Sequence, residues 1–442
     1  MERLERLRVE RLSNSPDGVA HLPSGKTVFV PGTCPGDLVE ARLVADRPRY
    51  ARAELVSVLE ASPDRAKERC PLTGVCGGCP WQHVGYEAQL AAKRAQVADA
   101  LVHIGGLPAE EAERLCGQTV PAPSQWGYRN KVEFGWSAGT RPFLGLHAHG
   151  GDLAPVTSCL LLPKRHAKLP GALTGALRYL QGNAGGQLQL DRVGVRTSLR
   201  TGELELAFWS KPGALSRRSL AAVMKSLHNP SSIVNVLLDR HSLGRKVSGV
   251  SVVAGKGCWH ERLGDDVLAL SAPSFFQVNT QAAELLRSLV LDAVEDVRPD
   301  RALDLYCGAG TFTVPLARVA RHTCAVESQA SSVRDLRRNL RHADVAAEVI
   351  GGAVEREFEA LGQADVAVVD PPRAGLATQT ADALCEMRAR RLVYVSCNPA
   401  TLARDLKVLC RETYRIERMT PVDLFPQTPH VETVTVMSLA HG

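Results

Sequence analysis

The C-terminal third of the sequence alternates short apolar runs of β-strand character with segments of helical periodicity. Residues 302–306 form one such run, and the sequence Cys-Gly-Ala-Gly at 307–310 separates it from a helical segment. This alternation is typical of βαβ units, in which parallel strands are joined by helices that cover the faces of the sheet. The sequence therefore predicts a Rossmann-like α/β domain over residues 273–442.

The first strand-to-helix turn of this domain has the features of a nucleoside-binding site. Gly308 and Gly310 let the backbone come close to a ligand, and Glu327 follows the next predicted strand. A carboxylate at that position can accept hydrogen bonds from both hydroxyls of a ribose. The loop has neither a third spaced glycine nor a lysine, so it is neither a dinucleotide fingerprint nor a P-loop. S-adenosylmethionine, an adenosyl cofactor without pyrophosphate, fits better.

Two further strand ends carry reactive side chains. Cys397 lies between an apolar run and a turn-forming Asn-Pro pair, and Asp370 begins the sequence Asp-Pro-Pro-Arg after an earlier strand. In an open α/β sheet, ligands bind in the crevice at the carboxyl ends of the strands. A thiol there predicts covalent catalysis. A buried structural cysteine is the alternative, because unpaired cysteines are commonly core residues.

A third cysteine-bearing feature opens the middle of the chain. Cys70, Cys76 and Cys79 are spaced C-x5-C-x2-C in a glycine-rich loop, and Cys159 is the candidate for a fourth ligand. Four thiolates suit an iron–sulfur cluster. Zinc is the alternative, although structural zinc sites usually present two close pairs of ligands. The isolated cysteines are expected to be small buried hydrophobic residues: Cys34, Cys116, Cys258, Cys324, Cys385 and Cys410.

The first 60 residues consist of short β-like runs between glycine and proline turns, which predicts a small OB-like β-barrel. An arginine-rich stretch interrupted by Tyr50 follows, and basic and aromatic side chains on such a barrel favour nucleic-acid binding. A solvated charged edge is the alternative. The arginines of this stretch are Arg42, Arg47, Arg49 and Arg52.

The segment between the two regions mixes both kinds of secondary structure. A helical pattern covers about 87–117, and residues 204–209 read as a strand. The sequence thus predicts three domains: a barrel at 1–60, an α+β central domain at 61–272 and the α/β domain at 273–442.

Composition limits the remaining function classes. The 442-residue chain has a net charge of +6, which allows a polyanionic partner without requiring one. It has no apolar stretch long enough to span a membrane, and its first residues are charged, so we expect a cytoplasmic protein. Twelve cysteines in that setting predict reduced thiols, metal ligands or catalysis. The absence of a coiled-coil pattern favours a monomer.

Together these motifs resemble those of the RNA (uracil-C5)-methyltransferases, and the resemblance covers essentially the whole chain. Residues 1–60 are similar to the TRAM domain of that family. The similar segments are the Cys70/Cys76/Cys79 loop, residues 274–279 (SFFQVN), 304–310 (DLYCGAG), 370–373 (DPPR), 396–399 (SCNP) and 425–432 (FPQTPHVE).

The resemblance implies a role for each matching residue. Cys397 matches the nucleophile, and Glu432 matches the base that removes the C5 proton, with His430 as a rival base. The tetrapeptide at 128–131 matches a motif that faces the active site and RNA. Ala353 departs from the pattern, because relatives often have a polar side chain there. The cofactor-site matches are Gln277, Tyr306, Thr311, Glu327 and Asp370, and the matches to ligands of a 4Fe–4S cluster are Cys70, Cys76, Cys79 and Cys159.

The implied fold is a class I methyltransferase domain with an N-terminal TRAM barrel and a cluster-bearing central domain. The implied activity is S-adenosylmethionine-dependent C5 methylation of a uridine in RNA, with 23S ribosomal RNA favoured over the T-loop of transfer RNA. A cytosine-C5 methyltransferase would be expected to have a cysteine where Arg373 stands. Amino-methyltransferases share Asp-Pro-Pro but have no use for Cys397. A non-enzymatic iron–sulfur RNA-binding protein would not need an adenosyl pocket.

Overall fold

A computed structural model of the protein describes residues 4–148, 151–184, 188–239 and 246–440. Residues 1–3, which include the charged Glu2 and Arg3, lie outside these ranges. Within them, no helix combines the length and the apolar character that a membrane crossing requires.

The N-terminal region forms a six-stranded sheet in the order β1-β5-β6-β4-β3-β2. Every neighbouring pair is antiparallel except β4 and β6. The inward side chains of five strands, among them Leu7, Val28 and Ala51, share one core. The strands are β1 (Leu4–Arg8), β2 (Arg11–Leu12), β3 (Asp17–His21), β4 (Thr27–Pro31), β5 (Leu38–Asp46) and β6 (Tyr50–Glu60).

The helical pattern predicted over 87–117 is two helices rather than one. Helix α1 (Tyr86–Ala100) ends in a π-helical turn at Leu101–Gly105, and α2 (Ala109–Leu115) begins only after Pro108. Gly106 has a φ of 80°, a left-handed conformation that glycine adopts without strain and that ends a helix. The predicted helix spans Gly106 and Pro108, the residues at which the structure divides it in two.

Both helices pack against the C-terminal sheet. Val97 of α1 and Ala112 of α2 belong to the same buried cluster as Leu303 and Tyr394, which lie on strands of that sheet. After α2 the chain runs alongside Met419 and extends the edge of the sheet through a parallel bridge. The boundary after residue 272 stays a prediction, but this part of the middle segment is structurally tied to the C-terminal domain.

The central sheet has the order β13-β12-β11-β10-β7-β8-β9. Its core is completed by α3, whose Leu173 and Leu177 share a buried cluster with Phe134 and Phe208 of the sheet. The predicted strand at 204–209 is confirmed as part of β11. The elements are β7 (Lys131–Ser137), β8 (Phe143–His147), β9 (Leu153–Pro155), α3 (Leu169–Ala184), β10 (Leu190–Thr197), β11 (Leu204–Ser210), α4 (Arg217–Met224), β12 (Ser232–Leu238) and β13 (Val247–Gly255). A hairpin follows, made of β14 (Trp259–Leu263) and β15 (Asp266–Leu270).

The C-terminal region is the predicted α/β fold. Its sheet has the order β18-β17-β16-β19-β20-β22-β21. The first five strands are parallel, and β22 pairs antiparallel with both β20 and β21. The elements are α5 (Thr280–Glu295), β16 (Arg301–Leu305), α6 (Thr313–Val319), β17 (His322–Glu327), α7 (Ala330–His342), β18 (Glu348–Gly351), α8 (Val354–Glu357), β19 (Val366–Val369), α9 (Thr378–Met387), β20 (Arg391–Ser396), α10 (Pro399–Leu409), β21 (Tyr414–Val422) and β22 (Glu432–Leu439).

The chain order reverses between β16 and β19. From β16 the chain proceeds outward through β17 and β18, then returns to place β19 on the opposite side of β16. The crevice at the carboxyl ends of strands flanking such a switch point is where open α/β sheets bind ligands. The turns that follow β16, β17, β19 and β20 all open onto that edge.

Candidate active site

The turn after β16 is shaped by residues in left-handed conformations. Tyr306, Gly308 and Gly310 have φ values of 63°, 57° and 100°. A Cβ atom on Gly310 would lie 2.7 Å from Leu336 Cδ1, so a side chain there would collide with α7. A Cβ atom on Gly308 would meet nothing within 4 Å, because the turn faces open space. The two glycines therefore bring the backbone to the edge of an accessible cleft.

Glu327 is fixed at the rim of this cleft by backbone donors. The Gly308 N–H donates to Glu327 Oε2 at 3.0 Å, and the Gln329 N–H donates to Oε1 at 2.6 Å. A carboxylate has about four lone-pair positions, so both oxygens can still accept a bond from a ligand. The prediction that placed Glu327 beside the glycine turn agrees with this geometry.

Asp304 lies beneath the same turn, and the sequence analysis gave it no role. Thr313 Oγ1 donates to Asp304 Oδ2 at 2.5 Å, whereas Oδ1 is buried without a hydrogen-bond partner among the described residues. Burial, reinforced by the nearby Asp370 and Glu327 carboxylates, raises the pKa of Asp304 to about 7. A buried acid at the end of a central strand was the available signal.

The remaining predicted cofactor-site residues lie near the same edge and differ in burial and in hydrogen-bond partners. The Tyr306 hydroxyl donates to Glu355 Oε1 at 2.9 Å, and the half-buried Thr311 lies in the turn before α6. Gln277 is buried, and its backbone carbonyl accepts a bond from Asn130 Nδ2 at 2.9 Å. That bond ties the start of the C-terminal domain to the central domain.

Cys397 lies in the turn between β20 and α10, where it is half-buried. Asn398 caps α10 by accepting a bond from the Ala400 N–H at 3.1 Å, and its Nδ2 donates to the Arg373 carbonyl at 3.1 Å. The first bond sets where the helix begins. The second links the cysteine turn to the turn that starts at Asp370, so the two strand ends are held in register.

Glu432 approaches Cys397 from the antiparallel neighbour of β20. In the pairing of β20 with β22, Ser396 lies opposite Thr433, so Cys397 and Glu432 continue the two strands at the same edge. Burial, followed by the Glu432 and Asp370 carboxylates, raises the pKa of Cys397 to about 11. Burial and Asp370 also raise the pKa of Glu432 well above its ordinary value. One thiol and two carboxyls thus lie at the edge of the sheet where the parallel strands end, which we call the reaction edge.

Asp370 is the third member of this group. The residue as a whole is half-buried. Burial of its carboxyl group raises the pKa of Asp370 to about 7. Its backbone N–H donates to the Leu305 carbonyl at 3.2 Å, which joins its turn to the turn after β16. Asp370 therefore lies between the cofactor cleft and the Cys397–Glu432 pair.

His430, the rival base, has the opposite electrostatic character. Burial and the positive charges of Arg373, Lys93 and Arg129 lower the pKa of His430 to about 4. Its ring packs edge-on against Phe425 at a centroid distance of 5.9 Å. The lowered pKa makes the His430 imidazole a weak base, whereas the raised pKa makes the carboxylate of Glu432, once ionised, the stronger proton acceptor. The surroundings therefore favour Glu432.

Comparison with known proteins relates this geometry to a chemistry. A family model described as tRNA (uracil-5-)-methyltransferase matches residues 267–439, and a TRAM-domain model matches residues 3–56. An uncharacterized RNA methyltransferase of Gloeobacter violaceus is 35% identical over 97% of this chain and 95% of its own. Another, from Chlorobaculum tepidum, is 35% identical over 94% of this chain and 92% of its own.

The chain belongs to the RNA uracil-C5 methyltransferase family. A solved member, the Pyrococcus abyssi tRNA (uracil-54, C5)-methyltransferase in complex with S-adenosyl-L-homocysteine, has the same fold. It matches with a TM-score of 0.76 and 25% identity, covering 98% of this chain and 100% of its own. The predicted enzyme class, methyltransferase fold and TRAM domain are confirmed.

The loop that carries His430 into the methyltransferase site is held from the middle segment. Lys93 and Asp423 form a fully buried ion pair, and Lys93 Nζ also donates to the Phe425 carbonyl at 3.1 Å. Gln89 and Gln427 exchange two hydrogen bonds, of 3.0 and 2.9 Å. Gln89 and Lys93 lie one turn apart on the buried side of α1, and the sequence alone did not single them out.

The four predicted metal ligands line one small pocket in the central domain. Cys70, Cys76, Cys79 and Cys159 surround it together with apolar side chains and Trp126. Burial, then the neighbouring Cys159 thiol, raises the pKa of Cys79 to about 12. Burial likewise raises the pKa of Cys76 and Cys159. Over the described ranges, no three Cys, His, Asp or Glu side chains are arranged to hold a single metal ion.

The isolated cysteines divide into two groups. Four are buried, as predicted: Cys34, Cys116, Cys258 and Cys324. Cys385 and Cys410 are only half-buried, so the expectation of full burial is wrong for them. They lie at the end of α9 and just after α10, where helix ends leave side chains partly uncovered.

The arginine-rich stretch and Ala353 were the other two features singled out from the sequence. In the TRAM region Arg47, Arg49 and Arg52 are exposed, and Tyr50, also exposed, packs edge-on against Phe29 at 5.8 Å. Ala353 precedes α8, and its carbonyl accepts a bond from the Arg356 N–H at 2.9 Å. A methyl side chain there provides no polar contact for an adenine.

Proposed function

We propose that this enzyme transfers a methyl group from S-adenosylmethionine to C5 of a uridine in RNA through a covalent adduct between Cys397 and C6 of the uracil. The convergence of Cys397 and Glu432 at one strand edge, with Asp370 beside them, is the observation that carries the proposal. C5 of uracil is too weak a nucleophile to react unaided, so a chain that methylates it needs a thiol and a base at the same place.

The cofactor cleft supports S-adenosylmethionine as the methyl donor. The turn at Gly308 faces open space, Glu327 is positioned for the ribose hydroxyls, and the buried Asp304 Oδ1 offers an unused acceptor for an ammonium group. Gln277, Tyr306 and Thr311 are the further proposed contacts. Bound S-adenosylmethionine would supply an electrophilic methyl group to this edge.

The side chains then divide the proton transfers between them. In the free enzyme the raised pKa keeps Cys397 protonated at neutral pH, so its proton passes to an ionised Asp370 carboxylate as the sulfur adds to C6. That addition makes C5 enolate-like, and C5 takes the methyl group. Glu432 then accepts the C5 proton, the C5–C6 double bond re-forms and the thiolate is expelled. Glu432 acts in this step as the carboxylate, its own proton having passed to solvent, and its raised pKa makes that carboxylate a stronger base.

We further propose that the thiol pocket holds a 4Fe–4S cluster with a structural role. Four thiols that line one pocket suit this cluster, which takes one thiolate per iron rather than several on a single ion, and bound iron would neutralise thiolates that burial otherwise disfavours. The pocket lies in the central domain, outside the sheet that carries Cys397. Methyl transfer moves no electrons between substrates, so the reaction needs no redox centre.

The proposed target is 23S ribosomal RNA, with transfer RNA as the second candidate. The cysteine pocket together with the TRAM domain favours the ribosomal branch of the family. The match to the Pyrococcus abyssi tRNA methyltransferase favours the second candidate. The exposed arginines at and beside the β5–β6 turn of the TRAM domain are the proposed phosphate contacts for either RNA.

Nucleoside mass spectrometry of RNA from a deletion strain tests the reaction and the target together. Ribosomal and transfer RNA are separated before digestion, and 5-methyluridine is quantified in each. Loss from the ribosomal fraction supports the proposal, and loss from the transfer fraction moves the target to tRNA. Loss of 5-methylcytidine, or no loss of any methylated pyrimidine, contradicts the proposed activity.

A further inference from the structure

A second groove lies away from the reaction edge, between helix α7 and the edge strand β13 of the central sheet. It has a volume of about 1070 Å³. One end is formed by Pro273 and Gln329, whose side-chain Nε2 donates to the Pro273 carbonyl at 3.0 Å. The backbone N–H of Gln329 also bonds Glu327, so the groove starts beside the cofactor cleft and continues along α7.

The α7 wall of the groove is strongly basic. Helix α7 buries Val333, Leu336 and Leu340 on one face, while a row of arginines follows the other face at spacings of three and four residues. Residues so spaced are neighbours on a helix surface. Those that line the groove are Arg334, Arg337, Arg338 and Arg341.

Most of this positive charge is not neutralised within the protein. Asp335, the carboxylate among the described lining residues, is buried and already accepts bonds from Ser271, Ser274 and Arg338. Arg337 donates to the neutral carbonyl of Val349. Across the described ranges no carboxylate forms an ion pair with Arg334 or Arg341, and both are exposed.

The opposite wall is neutral and accessible. Strand β13 is the last strand of its sheet, so none of the described strands pairs with the outer side of its backbone. Val250 and Val252 are 36% and 38% exposed and line the groove on the same face of β13. An exposed apolar strip opposite a row of arginines suits a ligand with an anionic backbone and less polar rings.

We propose that this α7–β13 groove binds the sugar–phosphate backbone of the RNA substrate at nucleotides outside the target site. Guanidinium groups form paired hydrogen bonds with phosphate oxygens, and helical spacing presents several of them along one line. Because the groove begins beside the cofactor cleft, an RNA strand leaving the active site can continue along α7. This inference rests on the chain acting on RNA and is independent of which base is methylated.

The test uses the full-length Arg334→Gln/Arg341→Gln double variant. These two arginines are exposed and hold no part of the fold, unlike Arg338, which binds Asp335. The matched control is Arg217→Gln/Arg218→Gln, which removes the same charge from exposed positions of α4 that do not line the groove. Binding to a long labelled oligouridine is measured by fluorescence anisotropy over a range of KCl concentrations, without cofactor.

In a single strand each phosphate contact contributes about 0.7 to the slope of log affinity against log salt. We expect the groove variant to lower that slope by about 1.4 and to weaken binding at low salt at least about tenfold, while the control stays near the unmodified protein. A trinucleotide, too short to reach from the active site along α7, should bind both proteins equally.

Equal slopes for the groove variant and the unmodified protein would overturn the proposal. So would a variant that loses binding to polyglutamate but keeps its binding to oligouridine, because the groove would then serve an acidic polypeptide. Binding is measured without methylation, so a wrong target base leaves these outcomes unchanged and the two proposals fail separately.

Discussion

The single thiol of Cys397 and the four-thiol pocket of the central domain lie in different surroundings. Cys397 lies on the rim of a rigid sheet between the carboxyls of Glu432 and Asp370. In the central domain Cys79 lies among three other thiols, and the positive charge of Arg129 acts on the group. Burial raises the thiol pKa in both places. Only the first provides groups that accept protons, which suits a reacting sulfur, whereas the second suits sulfurs bound permanently to a cation.

The largest expected effect separates the reacting thiol from the base beside it. Cys397→Ala should abolish both methylation and any covalent protein–RNA species, because the other thiol in the turns at this edge, that of Cys307, is buried. Glu432→Gln should slow turnover by a factor of about 10²–10⁴ and accumulate the methylated, cysteine-linked adduct, because an amide cannot accept the C5 proton. A denaturing gel with labelled RNA and S-adenosylmethionine should show a shifted band for Glu432→Gln alone.

His430→Ala is the matched comparison for that gel. If His430→Ala traps the band while Glu432→Gln turns over normally, the base is His430. If Cys397→Ala still yields methylated RNA, the covalent mechanism is wrong and the contrast between the two thiol sites disappears.

The second expected effect concerns the four-thiol pocket. The purified protein should be brown, and Cys76→Ala should lose that colour together with solubility or RNA affinity. Its affinity for S-adenosylmethionine should stay close to that of the unmodified protein, because the pocket lies outside the cofactor sheet. Visible absorbance, iron analysis and calorimetry measure these properties.

Cys385→Ala is the control for this prediction, because it removes a half-buried thiol outside the pocket. It should leave colour and iron content unchanged. Colourless unmodified protein with stoichiometric zinc would contradict the cluster, and a large loss of cofactor affinity in Cys76→Ala would contradict its purely structural role.

The sequence was most informative where function depends on single strand ends. Glycine turns, Glu327 after β17 and Cys397 after β20 are local signals, since a strand followed by a turn is visible in a short stretch of sequence. Their convergence follows from the parallel sheet, because all carboxyl ends share an edge. The position of the candidate site could therefore be predicted from the sequence.

Contacts between distant segments could not be inferred in this way. The buried Lys93–Asp423 pair joins residues more than three hundred positions apart, and neither residue stands out within its own helix or loop. The packing of α1 against the C-terminal sheet was missed for the same reason, because an apolar face does not specify its partner. The raised pKa of Asp304 depends on Asp370 and Glu327, which only the fold brings close.

A smaller effect tests the cofactor cleft, which distinguishes the Cys397 edge from the thiol pocket. Charge-assisted hydrogen bonds contribute about 1.5–3 kcal/mol each, so Glu327→Ala should weaken S-adenosylmethionine binding at least about tenfold. Glu359→Ala, which removes an exposed carboxylate from the same domain, should bind normally. Calorimetry measures both. Normal cofactor affinity in Glu327→Ala, with retained fold, would remove Glu327 from the site.

The smallest expected effect is a pH dependence of stability that the carboxyls confer on the reaction edge. The pKa of Asp370 rises from an ordinary 3.8 to about 7 on folding, so between these values the folded state keeps a proton that the unfolded state has lost. The stability that this proton provides therefore falls as pH rises through this range, and the loss is complete above about pH 7.

The Asp370→Asn variant cannot ionise at this position, so it should not lose stability in this way. In the protein without cofactor, the Tm of Asp370→Asn minus that of the unmodified protein should be more positive at pH 8 than at pH 5. Asp382→Asn, at an exposed position of α9, should show no such change, and a pH-independent difference for Asp370→Asn would mean that its carboxyl is ionised in the fold like a surface residue.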